Sequence, residues 1–427
     1  MSLPRGSALL LALGAIVSLA CGGGEPRASA GASAVVKSTP TAAASPSTAR
    51  PIPSPEGSKT GPADGLQKAT FDPDAEYDKG AALAAARRFA DARQVFEEAA
   101  RLAPMDGSLA AAVAMFDDLA AKRISEDVVQ RLFQAGQDAN AERWAEAHAD
   151  LDEAIRLAPG YARAHGMRGT LLLLQGKPAD ALKAFDQVLK LDPAFAEGYF
   201  NRGAVYAELR KYDLAIADYT RAIELQPDYW YAYANRGTAH LNRGLARDNT
   251  QDAQDAVADF TKAHELNPGA FEPLYQRGLL YALAEEWGAA AADFTAVIER
   301  NPGYALASYN RGLAYQNLGA DDRAVADYTK AIELDPADPK PLINRGLLYA
   351  KQKSYERAIA DADKAASLAP ALLNAYYNKG LALEQMGRPK EAAAQYRILL
   401  QKAGPDDSAL AGQARQRLAV IEKAPKD

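Results

Sequence analysis

Arginine and aspartate recur at matched positions through the second half of the sequence, in a pattern suited to ion pairing. In most copies the aspartate follows the arginine by sixteen residues. A planar guanidinium can bind a carboxylate through two parallel hydrogen bonds, and a partly buried arginine needs such a partner. We interpret the set as an internal ladder of ion pairs, formed within or between repeats; the alternative is that the arginines bind an acidic ligand. The residues are Arg202, Arg236, Arg277, Arg311 and Arg345, with Asp218, Asp259, Asp293, Asp327 and Asp361.

A side-chain amide stands directly before each of these arginines, and the residue before the amide is usually aromatic. The amides are Asn201, Asn235, Gln276, Asn310, Asn344 and Asn378, and the aromatic residues are Phe200, Tyr275, Tyr309 and Tyr377. An amide offers both donors and an acceptor, so a row of amides can pair with an extended peptide backbone whatever its side chains. The pattern predicts a peptide-binding groove; the alternative is that these residues persist only from repeat duplication.

The remaining polar residues do not indicate catalysis, and we expect no enzymatic activity, metal or cofactor. The four histidines, His148, His165, His240 and His264, have no metal-ligand spacing and lie inside the predicted helices. The net charge is −6, with Lys/Arg and Asp/Glu interspersed along the chain. No basic stripe is present, so we expect no nucleic-acid partner.

The amide and arginine positions belong to a repeated unit marked by a glycine that directly follows the arginine. These glycines are Gly203, Gly237, Gly278, Gly312, Gly346 and Gly380, which are 34 residues apart except for one interval of 41. With the glycine numbered as position 8, position 20 is alanine, position 24 is mostly aromatic and position 32 is proline. Two apolar stripes at helical spacing and a terminating proline predict a pair of helices per unit. One pair cannot bury its apolar face alone, so neighbouring pairs must stack.

This pattern resembles the tetratricopeptide repeat family, over about residues 75–405. The resemblance implies an all-α solenoid of helix-turn-helix units, wound as a right-handed superhelix with a concave groove. It also implies that positions 5 and 6 of each first helix face that groove, and that the protein binds a protein or peptide. The amide row is similar to the asparagine ladder of the glycosyltransferase that adds N-acetylglucosamine to proteins. We expect no transferase activity, because the sequence after the repeats is too short for that enzyme's catalytic domain.

The repeats divide the chain into segments. We expect a first repeat-like unit at 75–104, set apart by an intervening helix within 105–125, and then the main array at 126–405. Seven extra residues around Gly244–Gln251 should form a longer exposed turn between two helices. Residues 406–427 should supply a capping helix and a tail.

The N-terminal segment resembles a bacterial lipoprotein signal sequence at Met1–Cys21. Arg5 precedes an apolar run of 13 residues, Ala8–Ala20, which is too short to span a bilayer as a helix. Cys21, the chain's single cysteine, follows directly and is the expected lipidation site. Serine at position 18 departs from the usual leucine, and plain secretion or a cytosolic location are the alternatives. Residues 22–74 are rich in Ala, Ser, Thr, Pro and Gly and should form a disordered tether.

These features together predict a lipid-anchored, non-catalytic adaptor that binds an extended protein segment in its groove and assembles an envelope complex. The lipid on Cys21 would hold it at the outer face of the inner membrane or at the outer membrane. The alternative function is an accessory subunit that recruits substrate to a separate cell-wall hydrolase, synthase or transferase.

Overall fold

The computed structural model describes residues 71–247, 249–403 and 409–423. These residues form twenty α-helices and no β-strand, which confirms the predicted all-α repeat fold. The predicted signal sequence with Cys21, nearly all of the tether and the last four residues of the tail lie outside the described residues. None of the described helices is long and apolar enough to cross a lipid bilayer.

The helices follow one another in pairs, with α3 as an additional helix after the first pair and α20 as a single helix at the end. In chain order they are α1 Pro73–Ala85, α2 Phe89–Leu102, α3 Gly107–Ala120, α4 Glu126–Asn140, α5 Trp144–Leu157, α6 Ala162–Leu174, α7 Pro178–Leu191, α8 Ala196–Glu208, α9 Tyr212–Leu225, α10 Trp230–Arg247, α11 Thr250–Leu266, α12 Glu272–Leu283, α13 Trp287–Arg300, α14 Ala305–Asn317, α15 Asp321–Leu334, α16 Lys340–Lys351, α17 Tyr355–Leu368, α18 Leu373–Gln385, α19 Pro389–Lys402 and α20 Ala409–Lys423.

The described chain forms two compact units. The N-terminal unit ends at Arg243, and the C-terminal unit begins at Gly244. In the N-terminal unit, α4, α6 and α8 are first helices of their pairs and α5, α7 and α9 are second helices. In the C-terminal unit, α12, α14, α16 and α18 are first helices, and α13, α15, α17 and α19 are second helices.

In most pairs the second helix packs closely against a glycine of the first helix. The ring of Tyr328 on α15 lies against Gly312 on α14, and a Cβ atom added at Gly312 would sit 2.8 Å from that ring. Tyr328 and Ala324 are fully buried at the same contact. The missing side chain of glycine and the small alanine therefore let the two helices approach, and the aromatic ring fills the remaining space.

The turn inside a pair ends the first helix with a residue in the left-handed conformation. Arg210, after α8, has a φ of 57°. Its amide donates to the carbonyl of Ala207 at 2.9 Å, and the amide of Lys211 donates to the carbonyl of Tyr206 at 2.8 Å. These bonds satisfy carbonyls that the helix end would otherwise leave unpaired.

Replacing Gly380 with alanine is expected to lower the free energy of unfolding by about 1–3 kcal/mol, because the new Cβ would overpack a buried ring. That atom would lie 2.5 Å from Tyr396, which is fully buried. Gly346 is the matched control, since Ala362 stands where the ring would be and leaves ordinary contacts of 3.4 Å. Gly346→Ala should be neutral or stabilise by up to about 1 kcal/mol. Urea unfolding measures the free energy of unfolding of both variants. Equal losses of stability in Gly380→Ala and Gly346→Ala would contradict the packing argument.

The first repeat is not set apart, contrary to the sequence expectation. Helix α1 packs on α4: the Nη1 atom of Arg87, which follows α1, lies 2.6 Å from the Asp127 carboxylate, and the Gln130 amide donates to the Ala85 carbonyl at 3.2 Å. Phe96 and Phe133 stack with ring centroids 5.4 Å apart. The two repeats share one core because α3 adds its own apolar face to that core instead of separating them.

The seven extra residues lengthen helices instead of forming the expected exposed turn. Helix α10 continues to Arg247, and α11 already begins at Thr250. Asn249 caps α11, since its side-chain oxygen accepts from the amide of Gln251 at 3.0 Å.

Helix α20 covers the last pair of the C-terminal unit. Its Ala411 and Ala414 are fully buried in one apolar cluster with Tyr396 and Leu383. Ion pairs fasten its outer side, including Arg417 to Glu384 at 3.0 Å. The helix therefore closes an apolar face that a further repeat would otherwise cover.

Candidate functional site

The recurring arginines bind inside the solenoid, both within their own repeat and to the repeat before it. Arg311 donates from Nε and Nη2 to the two oxygens of Asp327, at 2.8 and 2.7 Å. Its third nitrogen donates to Thr295 of the preceding repeat at 3.1 Å. Its guanidinium also lies over the ring of Tyr315, 5.8 Å from the centroid. The same bidentate pairing joins Arg202 to Asp218, Arg277 to Asp293 and Arg345 to Asp361.

The predicted ion-pair ladder is therefore confirmed in these four repeats. The hydrogen bonds that Arg311 donates to Asp327 raise the pKa of Arg311 above its ordinary value. At the ends of the ladder the partner comes only from the preceding repeat, since Lys379 bonds to Asp363 at 2.6 Å and Arg168 bonds to Asp152. With their donors engaged internally, these side chains hold successive repeats together and leave little for an acidic ligand.

The amides at position 6 also link repeats. The Asn310 amide donates to the hydroxyl of Tyr275 at 3.0 Å, and the Asn344 amide donates to the hydroxyl of Tyr309 at 3.2 Å. These bonds join α12 to α14 and α14 to α16, so the first helices lie side by side in chain order. Each bond uses one amide N–H and satisfies a tyrosine hydroxyl on a buried ring.

The other four amides correct the expectation of an open row. Asn201 and Gln276 are buried, at 5% and 9% exposure. Asn235 donates to the Tyr231 carbonyl of its own helix at 2.8 Å. The amide nitrogen of Asn378 is buried without a hydrogen-bond partner. The six side chains thus differ in their surroundings, and a ligand cannot meet them as one continuous ladder.

The aromatic residues at position 5 belong to the core, which corrects their assignment to the groove wall. Phe200, Tyr275 and Tyr309 are buried. Each packs on the position-24 ring of its own pair, as in Tyr309 and Tyr328 with centroids 5.9 Å apart. Tyr377 is partly buried and packs on Tyr396 in the same way. These rings therefore stabilise the pairs and present little surface to a ligand.

Leucine at position 9 supplies the apolar surface that the sequence reasoning missed. Positions 2, 6, 9 and 13 fall on one face of each first helix, and we call this face in the C-terminal unit the outer stripe. Its position-9 residues are Leu279, Leu313, Leu347 and Leu381, none of which is buried. Leu347 is 39% exposed. The sequence contains the pattern that indicates this surface, because each leucine directly follows the glycine of its repeat.

The N-terminal unit has a different feature on its first helices, an open cleft of about 440 Å³. Phe133, Met167 and Met115 form its apolar floor, and Gln137 and Asn140 lie at its polar margin. Phe133 and Met167 occupy position 6 in α4 and α6, where the later repeats have amides. The irregular repeats in this region concealed the cleft from sequence analysis.

Family comparisons match the repeats in both units. Tetratricopeptide repeat models match residues 138–194, 167–229 and 200–271. Further tetratricopeptide repeat models match residues 305–338, 327–360 and 373–398. Together these segments cover half of the chain. No curated protein matches the sequence significantly.

Several solved structures of repeat proteins resemble parts of the chain. One is YrrB, described as a TPR protein with an unusual peptide-binding site, at 25% identity and a TM-score of 0.39, covering 47% of this chain and 97% of YrrB. A tetratricopeptide repeat protein from Parabacteroides merdae is 21% identical with a TM-score of 0.41, covering 61% of this chain and all of that one. The pilF protein of Pseudomonas aeruginosa is 17% identical with a TM-score of 0.45, covering 53% and 98%.

The family matches and the geometry agree. Helical pairs close on a glycine and an aromatic ring, polar side chains tie each pair to the next, and the first helices leave one face with partly exposed leucines and amides. Such a face suits binding to a protein. The chain belongs to the tetratricopeptide repeat family.

Proposed function

We propose that this protein is a non-catalytic adaptor that binds an extended segment of a partner protein along the outer stripe of its C-terminal unit. The observation that carries the proposal is the row of partly exposed leucines, one per repeat, beside the amides of position 6. The other recurring residues lie in the core or in the ion-pair ladder, whereas the side chains of the leucine row stay partly exposed. An apolar row that repeats along a surface is a feature of interaction sites.

The spacing of the row favours an extended ligand. Helices in contact lie about 8–10 Å apart, so the leucines of neighbouring repeats should recur at about that interval. An extended chain covers about 10 Å in three residues. Asn310 can add a polar contact, because among the described residues its side chain makes one hydrogen bond and keeps an acceptor oxygen.

We further propose that the adaptor is anchored to a membrane through a lipid on Cys21. The support is the apolar run that ends at Ala20 and the single cysteine that follows it. Several acyl chains anchor a protein firmly, whereas one chain binds only weakly. The tether would then let the repeats work at some distance from the membrane surface, within the cell envelope.

Replacing Cys21 with serine is expected to release the protein from the membrane fraction into the soluble fraction. The change removes the only thiol that could be acylated and leaves the described helices unaltered. Fractionation with antibody detection measures the distribution, and circular dichroism at 222 nm checks that the repeats stay folded. A wild-type protein that is already soluble after export would contradict the anchoring.

The rival function is an accessory subunit that brings substrate to a separate envelope enzyme. Both functions use the same face, so the identity of the partner decides between them. Chemical cross-linking in membranes followed by purification of the protein should recover a structural component of an envelope complex. A hydrolase, synthase or transferase recovered at a fixed ratio would favour the accessory role instead.

A further inference from the structure

The outer stripe carries very little charge, and what charge it has is arranged at two points. From α12 to α18, its ionisable residues are Glu272, Lys340 and Lys351. Lys351 pairs with Asp321 at 2.5 Å. Glu272 and Lys340 have no ion-pair partner among the described residues. The stripe therefore leaves one carboxylate on α12 and one ammonium on α16, both at position 2.

Glu272 occupies an environment that disfavours its charge. The side chain is half-buried beside Tyr304, whose pKa is raised mainly by burial and further by the nearby Glu272. Burial also raises the pKa of the Glu272 carboxyl, and the backbone amides of Glu272 and Phe271 offset only part of that effect. A carboxylate held partly away from water without a cation gains strongly when a cation is brought to it.

The distance between the two charges follows from the order of the helices. The Asn310–Tyr275 and Asn344–Tyr309 bonds show that α12, α14 and α16 are successive neighbours. Two helix spacings place Glu272 and Lys340 about 20 Å apart. An extended chain covers that distance in about six residues, and its alternate side chains point to the same side. Leu306 holds position 2 on α14, between the two charges, and Leu279 and Leu313 lie on the same face further along α12 and α14.

We infer that the outer stripe selects an extended protein segment with a basic residue for Glu272 and, about six residues away, an acidic residue for Lys340, with apolar residues between them. This inference rests on the proposed function and adds the chemistry of the ligand to it. The charges fix where the segment starts and ends on the repeats and in which direction it runs, whereas the leucine contacts supply apolar burial without direction.

Fluorescence anisotropy with labelled peptides tests this inference on the full chain. The matching peptide is Arg-Thr-Leu-Thr-Leu-Thr-Glu, which places its basic, apolar and acidic side chains on one side. Two further peptides replace the arginine with glutamate or the glutamate with arginine. The matching peptide should bind at least about tenfold more tightly than either, which is about one hydrogen bond to a charged group.

Protein variants assign each charge. Glu272→Gln and Lys340→Gln should each weaken the matching peptide about tenfold. Glu272→Lys should reverse the preference, so that the peptide with glutamate at both ends binds best. The matched controls are Glu356→Gln and Lys364→Gln, which remove exposed charges from the second helix α17 and should leave the affinity unchanged. Thermal melting confirms that all variants remain folded.

Three results would overturn the inference. If Glu272→Gln and Lys340→Gln both bind the matching peptide with wild-type affinity, the two charges do not take part in recognition. The proposed function would still stand in that case if partner binding depends on Leu347. Failure of all three peptides to bind would show that the stripe does not recognise such a segment. Self-association in sedimentation that Glu272→Lys abolishes would assign the face to a second copy of this chain.

Discussion

Replacing Arg311 with leucine is expected to lower the free energy of unfolding by about 3–5 kcal/mol, the usual cost of removing one partner of a buried ion pair. Asp327 is 6% exposed, and its carboxylate accepts two hydrogen bonds from the guanidinium of Arg311. Without the guanidinium, the Asp327 carboxylate still bears the free-energy cost of its removal from water, but the attraction that offsets this cost is gone. The change also removes the bond to Thr295, which ties this repeat to the one before it.

The double variant Arg311→Leu with Asp327→Leu distinguishes a buried pair from an exposed one. Because both charges leave together, its stability should lie close to that of the wild type. Lys330→Leu is the matched control, since Lys330 and Glu333 form a surface pair at 3.2 Å that is about half exposed. That change should cost less than about 1 kcal/mol. Urea unfolding of the four proteins gives the comparison. Small, equal losses in the single and double variants would show that the Arg311–Asp327 pair is solvated.

Replacing Leu313 and Leu347 together with serine is expected to weaken partner binding by about two powers of ten. Burying a leucine side chain contributes about 1.5–3 kcal/mol when it is complete, and these two side chains are already partly covered. About 1.4 kcal/mol for each gives a hundredfold change. The free energy of unfolding should fall by less than for a core leucine, because both side chains are only partly buried.

Leu318 is the matched control for this prediction. It is 51% exposed in the same unit, but it lies in the turn after α14 and not on the outer stripe. Leu318→Ser removes similar apolar surface and should leave partner affinity within about twofold. If Leu318→Ser weakens binding as strongly as the double variant does, the effect comes from general surface polarity and not from the stripe.

Sequence periodicity was sufficient for the fold and for the ion pairs. Gly312, Tyr328 and the arginine before that glycine recur at fixed positions because every repeat solves the same packing problem. A charged residue at a core-facing position needs a partner of opposite charge, and Asp327 recurs with Arg311 for that reason. Where position 24 is not aromatic, the constraint on the glycine relaxes, as Ala362 shows beside Gly346.

The same reasoning could not decide which side chains face a ligand. Tyr309 and Asn310 are neighbours in sequence, yet consecutive side chains point about 100° apart around a helix. The tyrosine ring turns onto Tyr328 in the core, whereas the asparagine reaches the hydroxyl of the preceding repeat's Tyr275. Only packing settles such a choice. The leucine row is hard to recognise in the sequence because leucine in a helix is usually a core residue.

The insertion near Gly244 shows a similar limit. Additional residues between two helices can form a loop or extend the helices. Both arrangements are compatible with the longer interval of 41 residues between repeat glycines. Leu245, Ala246 and Arg247 favour helix, and α10 continues through them. No proline occurs in Gly244–Gln251, so the residues up to Arg247 can stay helical.

Site-specific photo-cross-linking tests the central claim most directly. A photoreactive amino acid placed in turn at Leu279, Leu313, Leu347 and Leu381 should cross-link one and the same partner segment in cells. The same group at Leu318 or Val420, which are also exposed, should not. Peptide mapping should show that successive positions on the repeats capture successive positions along the partner, about three residues apart. Cross-links from Leu318 and Val420 to that partner, with none from the four leucines, would contradict binding along the outer stripe.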